Sequence, residues 1–348
     1  MEYCSLPTGF SWDLLDINNR TSLNELYEFL KENYVEDDNN SFRLHYSNEF
    51  LYWWLSSLGF VKEWYICVRV AKNNKLVGFI SAIPVNIRVF NNIQPTAEIN
   101  FLCVHKKLRS KRMTPILIKE LSKRIQCYGF HQAVYTSGTY LPKFIARCNY
   151  WHRALNPRKL IDINFINLNH NITIRMLQKL YWLPNETKIH GLRPMIKSDI
   201  LSAHNLLCEY FKSFDIAPIF TENEFEHWFL PRENIIYSYV IETKNKITDF
   251  ISFYSVPTTI LNHSVYSVIN TVYSFYNVST SVSRVNLIQD ALIIAKNLKF
   301  DVFNALDVMD NIQFLQTLKF KIGTKSLKYY IQNNDNEYNN LKIGLILP

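Results

Sequence analysis

The sequence predicts an α/β (α+β) chain made of two tandem, pseudo-symmetric halves. The first observation is the alternation of helical and short apolar strand patterns along the 348 residues. The second is a repeat, in which KLVGFISAIP at residues 75–84 returns as KITDFISFYSVP at residues 246–257. The third is a helix with a following strand that begins at Leu117 and again at Leu287, 170 residues later. These three observations indicate a duplicated unit.

The composition is that of a large globular protein. It is 48% hydrophobic and 15% aromatic, which is enough to bury a sizeable core. Eight Gly and twelve Pro are too few for long flexible linkers. We therefore expect a first half over residues 1–185 and a second half over residues 186–348, packed as one compact unit.

The elements are predicted from local patterns in chain order. A helix covers residues 22–33, with Ser22 and Glu25 as a capping box at its start, and a second, strongly aromatic helix begins at Ser47. Strands over residues 64–70 and 75–84 are joined by an Asn-Asn hairpin turn. A short strand and a capped helix at residues 191–200 restart the pattern for the second half.

The stretch around which the first half is organised runs from Glu98 to Pro115. It begins as an apolar strand over residues 99–104 and continues as a loop with five Lys or Arg in the seven residues 106–112. A helix follows, with Thr114 predicted as its N-cap and Pro115 as its first residue. Because free N–H groups and the helix dipole meet at such a point, the stretch predicts an anion site.

The kind of anion is narrowed by what the stretch lacks. It has no Gly-x-Gly-x-x-Gly and no Gly-Lys-Ser/Thr, which argues against a dinucleotide turn or a Walker loop. A pyrophosphate with a further phosphate, as in coenzyme A, suits five cations and a helix end; a solvated basic loop is the alternative. The corresponding segment 279–284 has one cation, so only the first half is expected to hold a polyphosphate. The second half then offers a pocket for an acyl acceptor, or serves as scaffold only.

The composition also excludes several classes of protein. Six cysteines without metal-ligand spacing favour reduced thiols in a cytoplasmic protein and no metal. No apolar run reaches the ~18 residues of a membrane span, and the N-terminus lacks a signal-peptide core. The net charge of +8 suits an anionic partner, but the basicity is concentrated in the central loop. We expect a monomer with no nucleic-acid partner and no transmembrane segment.

The exact residue order of the central stretch is more informative than its charge and secondary-structure pattern. EINFLCVHKKLRSKR at residues 98–112 closely resembles the signature of the glycylpeptide N-tetradecanoyltransferase (N-myristoyltransferase) family. Further segments resemble landmarks of that family in the same order: NYVEDD (33–38), VGFISAIP (77–84), YWHR (150–153), LNPRKL (155–160), EHWF (226–229) and FNALD (303–307). The resemblance implies acetyltransferase-like (GNAT-type) halves. It also implies transfer of myristate from myristoyl-CoA to the α-amine of an N-terminal glycine.

The resemblance assigns the acyl-CoA contacts to the central stretch. The residues that it implies are Phe101, Leu102, Cys103, Val104, Ser110, Arg112, Met113 and Thr114, with Lys107, Arg109 and Lys111 screening phosphate charge. Backbone N–H groups of Phe101 and Leu102 are implied to stabilise the oxyanion, and a β-bulge would turn both toward it. Cys103, on an apolar strand, is expected in the core rather than as a nucleophile, which favours direct transfer to the amine.

The acceptor is implied to be an N-terminal Gly-x-x-x-Ser/Thr peptide of a nascent or processed protein. The residues that match the family's peptide contacts are Tyr34, Asp37, Asp38, Phe42, Asn100, Thr136, Tyr150, His152, Phe165, Tyr254, Thr258, Tyr273 and Asn304. His152 is expected to bind the substrate hydroxyl, or to be a structural histidine in an aromatic cluster. The acidic pair at 37 and 38 suits basic residues in the peptide, unless it is only a solvated loop.

The end of the chain carries the prediction of the general base. Residues 341–348 (LKIGLILP) are apolar, whereas termini are normally polar and frayed. Burial of this tail would take the α-carboxylate of Pro348 inside, where an unpaired charge is costly unless it is used. The resemblance implies that this carboxylate deprotonates the glycine ammonium, whose solution pKa is ~8. An ordinary edge strand is the alternative.

The sequence departs from the family in two places. The element expected as KFGxGDG stands as KFKIGTK at residues 319–325, with Thr324 in place of an acidic residue, which puts the preference for basic peptides in doubt. The aromatic segment that usually covers the CoA adenine, and the basic extension before it, precede the region where this chain starts. Either the sequence is a shortened one, or the cofactor is held less completely.

Two other functions remain alternatives to the one that the resemblance implies. An acetyl-CoA N-acetyltransferase would share the fold of each half but would need only a short acyl pocket. A nucleic-acid-binding protein would use residues 106–112 with exposed aromatics between the cations. The aromatics of this sequence lie mostly in periodic, buried-looking segments instead.

Overall fold

The computed structural model describes residues 4–34, 41–167, 172–261, 263–332 and 336–347. The strands of these residues are β1 (Phe10–Leu14), β2 (Phe42–Leu44), β3 (Ile66–Val70), β4 (Leu76–Val89), β5 (Asn92–Val104), β6 (Gln132–Ser137), β7 (Ala146–Ala154), β8 (Arg193–Pro194), β9 (Ile216–Ile219), β10 (Ile236–Thr243), β11 (Lys246–Ser255), β12 (Thr258–Ile260), β13 (Val268–Ile269), β14 (Thr271–Ser279), β15 (Val302–Leu306) and β16 (Lys321–Ile331). The α-helices are α1 (Arg20–Asn33), α2 (Asn48–Leu55), α3 (Met113–Cys127), α4 (Pro157–Asp162), α5 (Ile174–Leu180), α6 (Ile200–Phe211), α7 (Glu222–Phe229), α8 (Arg284–Asn297) and α9 (Ile312–Leu315).

One long, mixed sheet runs through both halves. Its strand order is β1-β3-β4-β5-β6-β16-β7-β15-β14-β11-β10-β8, and β9 pairs with β4 off this path. A second, small sheet has the order β13-β12-β2. The helices α3 and α8 belong to the repeat seen in the sequence. In the chain, α3 comes after the sheet strand β5, and α8 comes after the sheet strand β14.

The two halves exchange strands at the centre of the long sheet. β16, near the end of the chain, lies between β6 and β7 of the first half, and β7 pairs on its other side with β15. β2 of the first half likewise pairs with β12 of the second. Since neither half completes its own sheet, the chain packs as one compact unit, as the sequence predicted.

The same separation of parallel strands occurs in both halves. Residues 96–98 of β5 pair with residues 132–134 of β6, and residues 271–273 of β14 pair with residues 302–304 of β15. Each parallel contact ends after three residue pairs, although the strands continue. A wedge therefore opens in each half at the equivalent position, which makes the pseudo-symmetry visible in the backbone.

Aromatic side chains of α2 join the first half to the second. Trp53 and Trp54 are buried, and the Trp54 ring lies 5.0 Å from the Trp228 ring and 6.3 Å from the Phe275 ring, centroid to centroid. The Trp53 indole donates a hydrogen bond to the carbonyl of His227, whose ring Nε2 lies 2.8 Å from the Trp53 carbonyl. The predicted aromatic helix is thus an internal wall, and it begins after its N-cap Ser47 as predicted.

Two helix starts differ from the predicted ones. α1 begins at Arg20, because the side chain of Asn19 accepts hydrogen bonds from the first amides of the helix. The predicted capping box of Ser22 and Glu25 is therefore wrong, and the Glu25 carboxylate pairs instead with Arg69 at 2.7 Å. α3 begins at Met113 rather than after a Thr114 cap.

Among the described residues, no helix combines the length and the apolar character that crossing a membrane requires.

We expect the aromatic wall to contribute strongly to stability. Trp53→Ala should lower the free energy of unfolding by roughly 3–5 kcal/mol, because it removes a fully buried ring from a close-packed cluster. Tyr52→Ala, on the exposed side of the same helix, is the matched control and should cost less than about 1 kcal/mol. Chemical denaturation measures both. Equal losses would mean that α2 stabilises the fold through its backbone and not through the inter-half aromatic contacts.

Candidate active site

A β-bulge lies in β5 just beyond the point at which β5 and β6 separate. Phe79 pairs with Cys103 and Ser81 pairs with Asn100, so two residues of β5 oppose one residue of β4. Phe101, inside the bulge, has a φ of 54°, in the left-handed region that a bulky residue rarely occupies. The bulge that the sequence reasoning invoked at residues 101 and 102 is therefore present. A bulge takes backbone N–H groups out of the regular ladder.

The second half has a corresponding bulge between β11 and β14, one residue farther along β11. There, a side chain of the protein bonds the backbone of the bulge. Ile251 pairs with Asn277 and Phe253 pairs with Ser274. The backbone N–H of Tyr276 donates a 3.0 Å hydrogen bond to the Ser252 hydroxyl, which in turn donates to the Tyr276 carbonyl. The Tyr276 N–H is therefore not available to a ligand.

The basic loop leads from β5 to α3 through a 3₁₀ turn, Lys106–Lys111. Arg112 ends this turn with a φ of 56°, and α3 starts at the next residue without a side-chain cap. The loop is fastened to the end of α1, because the Arg109 guanidinium donates to the Asn33 carbonyl at 2.6 Å. The uncapped first turn of α3 thus presents its amides next to the side chains of the basic loop, as an anion site requires.

In the second half the loop between β14 and α8 is bonded by a side chain of the protein. The carboxylate of Asp249 accepts hydrogen bonds from the backbone N–H groups of Thr280 and Ser281, at 2.9 and 3.1 Å, and from the Ser281 hydroxyl. The position equivalent to Asp249 in the repeat is Gly78, which pairs with Val104 as Asp249 pairs with Ser279. A Cβ at Gly78 would lie 3.3 Å from a methyl carbon of Leu117 on α3.

The single cation of segment 279–284, Arg284, also has partners within the protein. Arg284 is buried, donates to the Asn277 carbonyl at 2.8 Å and lies 3.4 Å from the Asp310 carboxylate. Both polar functions of the second half, the bulge and the helix start, are therefore satisfied internally. The two halves therefore differ in the hydrogen-bond partners of their bulges and loops as well as in charge.

The residues implied as acyl-CoA contacts divide between the core and the surface. Phe101, Cys103, Val104 and Met113 are buried, Leu102 and Thr114 are half-buried, and Lys107, Arg109, Ser110, Lys111 and Arg112 are exposed. Burial raises the pKa of the Cys103 thiol to about 12. A thiol that stays protonated is a poor nucleophile, which agrees with the expectation that Cys103 belongs to the core.

A cavity of about 430 Å³ lies between the small sheet, β7 and β16. Nine of the thirteen residues predicted as acceptor contacts line it: Tyr34, Phe42, Thr136, Tyr150, His152, Phe165, Tyr254, Thr258 and Tyr273. Residues that sequence reasoning did not single out as contacts complete the wall: Arg43, Leu44, Tyr46, Gly138, Val256, Gly323, Thr324, Lys325, Ser326 and Leu327. Only the departure from the family motif at residues 319–325 pointed to part of this second group.

His152 is held as a neutral acceptor on the cavity wall. Its Nδ1 lies 2.7 Å from Oδ1 of Asn304, an oxygen that only accepts, so Nδ1 carries the proton. Burial lowers the pKa of His152, which keeps the ring neutral. Gly323 is required beside it, because a Cβ there would lie 2.6 Å from Nε2. Asn304 itself does not line the cavity but fixes the tautomer of His152 from behind.

Three predicted site residues, Asp37, Asp38 and Pro348, lie outside the described residues. Asn100 is described but is turned away from the cavity wall: its amide donates a 3.0 Å hydrogen bond to the Glu98 carboxylate. Glu98 also accepts from the Trp54 indole at 3.2 Å, and burial raises its pKa to about 7. Sequence reasoning missed Glu98, since nothing in a strand pattern distinguishes a buried carboxyl from an exposed one.

The tail of the chain is buried as far as it is described. The Gly344 N–H donates to the Ile216 carbonyl at 2.7 Å, and the Ile346 N–H donates to the Tyr276 hydroxyl at 3.0 Å. Leu347 is 3% exposed and lies with Glu98 on the wall of a small internal cavity of about 30 Å³. The tail therefore enters the core beside β5, directly before the bulge.

The described residues contain no cluster of His, Cys, Asp and Glu side chains that would hold a metal ion.

Comparison with known proteins finds matches to both parts of the chain. Residues 1–148 match the N-terminal domain, and residues 162–343 the C-terminal domain, of the family described as myristoyl-CoA:protein N-myristoyltransferase. A bovine relative, glycylpeptide N-tetradecanoyltransferase 2, is 51% identical over an alignment that covers 99% of this chain and 69% of the relative.

Two solved structures define the fold. A structure of Saccharomyces cerevisiae N-myristoyltransferase with bound myristoyl-CoA matches with a TM-score of 0.94 and 39% identity, covering 100% of this chain and 87% of the other. A GCN5-related N-acetyltransferase from Anabaena variabilis matches with a TM-score of 0.51 and 13% identity, covering 92% and 72%, which is a likeness of fold alone. The predicted fold class, two tandem acetyltransferase-like halves, is confirmed.

The raised pKa of Glu98 predicts a pH dependence of stability. The native state keeps a proton that the unfolded chain, with an ordinary value of 4.5, releases. The free energy of unfolding should therefore fall as the pH rises from about 4.5 to about 7. Glu98→Gln should remove this slope and, at pH 7.5, be more stable than the wild type by roughly 1–3 kcal/mol. Denaturant titrations at several pH values measure it.

The exposed carboxyl of Glu186 provides the control, since Glu186→Gln should leave the slope unchanged. A Glu98→Gln variant with the wild-type slope would place the titrating group elsewhere.

Proposed function

This chain belongs to the myristoyl-CoA:protein N-myristoyltransferase family, and we propose that its first half holds the acyl donor while a glycine amine attacks the thioester directly. It is an acyltransferase, and its function is N-myristoylation with myristoyl-CoA as donor. Family membership thus decides against the acetyl-CoA and nucleic-acid alternatives. The observation that carries the proposed arrangement is a difference between the halves: in the second half a serine hydroxyl bonds the bulge amide of Tyr276 and a carboxylate bonds the loop amides before α8, whereas α3 starts without a side-chain cap.

The phosphates of coenzyme A are proposed to bind at the start of α3. Support comes from the uncapped first turn and from the exposed cations Lys107, Lys111 and Arg112. In the second half the Asp249 carboxylate accepts from the amides of Thr280 and Ser281, in the loop that leads into α8, so the corresponding loop of the first half suits a phosphate oxygen. Gly78 fits this arrangement, because a carboxylate side chain at its position would compete for the same amides.

The thioester carbonyl oxygen is proposed to accept hydrogen bonds from the backbone N–H groups of Phe101 and Leu102. These groups lie in the bulge, and their positions are fixed by the strand on either side. Donors that are fixed before the reaction stabilise developing negative charge without reorganising. The fatty chain would then extend from the buried end of β5, where Cys103 and its neighbours form an apolar environment.

The Pro348 α-carboxylate is proposed to take a proton from the glycine ammonium. The neutral amine then forms a C–N bond with the thioester carbon, the C–S bond breaks, and coenzyme A leaves as the thiol after taking up the second amine proton. Support comes from the buried tail, which is held at Gly344 and Ile346 and runs beside β5. A carboxylate brought to this place would be adjacent to the bulge where the carbonyl is held.

The acceptor peptide is proposed to occupy the 430 Å³ cavity. Nε2 of His152 is an acceptor on the wall and suits the hydroxyl of a Gly-x-x-x-Ser/Thr peptide. Thr324 and Lys325 line the cavity where the family resemblance implies an acidic neighbour, so any selectivity for basic peptides would rest on the acidic residues 36–38. Those residues lie outside the described part of the chain.

The site proposed for coenzyme A predicts a loss of donor affinity on removing one charge. Arg112→Ala should raise the Kd for myristoyl-CoA by about tenfold or more, since a charge-assisted hydrogen bond contributes roughly 1.5–3 kcal/mol. Lys119→Ala, an exposed cation farther along α3, should change the Kd little. Isothermal titration calorimetry measures both. If the two variants bind alike, the basic loop is a solvated surface and not the phosphate site.

The proposed base predicts a specific chemical defect. Converting the Pro348 carboxylate to a carboxamide by ligation of a synthetic tail should slow the single-turnover rate by about 10²–10⁴-fold. The Kd for myristoyl-CoA should stay unchanged, because the described part of the tail is held by hydrogen bonds to Ile216 and Tyr276, away from the residues proposed to bind the phosphates. The same ligation with a free carboxylate is the control. Normal turnover by the amidated protein would assign the base elsewhere, and His152 is the next candidate.

A further inference from the structure

The segment that follows the first-half strands presents an unusually apolar surface. α5 (Ile174–Leu180) buries only Leu177 among its seven residues. Met176 is 55% exposed, and Trp182, just beyond the helix, is 71% exposed. Single exposed apolar side chains are common, but several in one short segment are not. Leu180 and the two isoleucines at 172 and 174 extend the same surface.

The exposure of Trp182 is imposed by the backbone around it. Tyr181 and Leu183, on either side, are each 6% exposed. The Arg153 guanidinium lies over the Tyr181 ring at 4.7 Å, and the Lys296 ammonium donates to the Leu183 carbonyl at 2.8 Å. Because the residues on both sides of Trp182 are buried and held in place, the Trp182 side chain points toward solvent.

The charges of this surface have one sign. Arg175 and Lys179 lie four residues apart on α5, opposite Leu177, and both are exposed. Neither makes an ion pair with another described residue. The sequence from residue 163 to residue 185 contains no Asp or Glu. Two like charges at this spacing destabilise a helix slightly, so their placement favours a partner that carries negative charge.

The combination of side chains selects the class of that partner. Met, Leu and Ile side chains gain free energy in a hydrocarbon environment, whereas a nucleic acid would use cations and aromatic rings only. Trp is enriched where water meets lipid, and Arg and Lys near it pair with anionic headgroups. We propose that α5 and Trp182 form a docking surface for an anionic lipid membrane.

The position of this surface next to the acceptor cavity gives the docking a consequence. α4 and α5 share a buried cluster with β12 and β13, and Phe165, between the two helices, lines the cavity and contacts the His152 ring. A membrane bound to α5 would therefore lie near the cavity in which, under the proposed function, the acylated product forms. Membrane binding itself does not depend on that function and is testable without substrate.

Cosedimentation with vesicles tests the proposal on the full chain. The wild type should bind vesicles of phosphatidylcholine and phosphatidylserine, and should bind phosphatidylcholine vesicles much more weakly. Arg175→Gln with Lys179→Gln should weaken binding by about 30-fold, from roughly 1 kcal/mol per cation near an anionic surface. Trp182→Ser should weaken it by about tenfold, from the lost burial of an apolar ring.

Matched controls separate this surface from general charge and hydrophobicity. Lys62→Gln and Ile93→Ser change an exposed cation and an exposed apolar residue elsewhere and should leave binding unchanged. Activity on a soluble peptide should be unaffected by Trp182→Ser, which separates a failure here from a failure of the proposed function. Absent binding of the wild type to the anionic vesicles, or binding that survives both α5 variants, would overturn the proposal. Binding to single-stranded RNA that is lost only in the charge variant would also overturn it, in favour of a nucleic acid.

Discussion

The short parallel contact between β5 and β6 is the constraint on which the site depends. The two strands pair over three residues, after which β6 turns to pair with β16 and β5 enters its bulge. Because the strand that fills the gap comes from the other half, the wedge, the bulge and the cavity all form at the junction of the halves. The tail of the chain enters at the same junction. A sheet with continuous β5–β6 pairing would have neither the wedge nor the bulge on which the proposed function rests.

The duplication gives a physical basis for the proposal that the first half binds the donor and the second does not. In the second half, Ser252 bonds the bulge amide and Asp249 bonds the amides before α8, so this half is satisfied without a ligand. In the first half, Gly78 replaces the carboxylate and α3 starts without a side-chain cap. Groups left without partners cost stability, and proteins keep such groups where a ligand supplies the partner. The two halves thus share one backbone arrangement, but the second bonds its backbone N–H groups internally, whereas the first is proposed to bond them to a ligand.

The sequence predicted the repeat, the central strand, loop and helix, and nine of the nineteen residues of the cavity wall, because these depend on periodicity and on a recognisable motif. It did not predict the start of α3, which is set by the left-handed Arg112 and by the tie of Arg109 to Asn33. Nor did it predict the place of β16, because strand order between distant segments leaves no local signal. Nor did it predict the buried hydrogen bond between Asn100 and Glu98, because burial inside a strand leaves no local signal.

The exchange of strands also limits how the cavity can admit a peptide. β7 and β16 each cross between the halves, and α2 joins them through buried aromatic rings, so separating the halves would break the long sheet and its core. The small sheet carries Phe42 on the cavity wall, and the pairing of β2 with β12 is continued by hydrogen bonds from the His45 N–H to the Pro257 carbonyl and from the Leu261 N–H to the Ser41 carbonyl. A peptide that enters the cavity must therefore do so without separation of the halves, while the long sheet keeps the bulge and the tail in place.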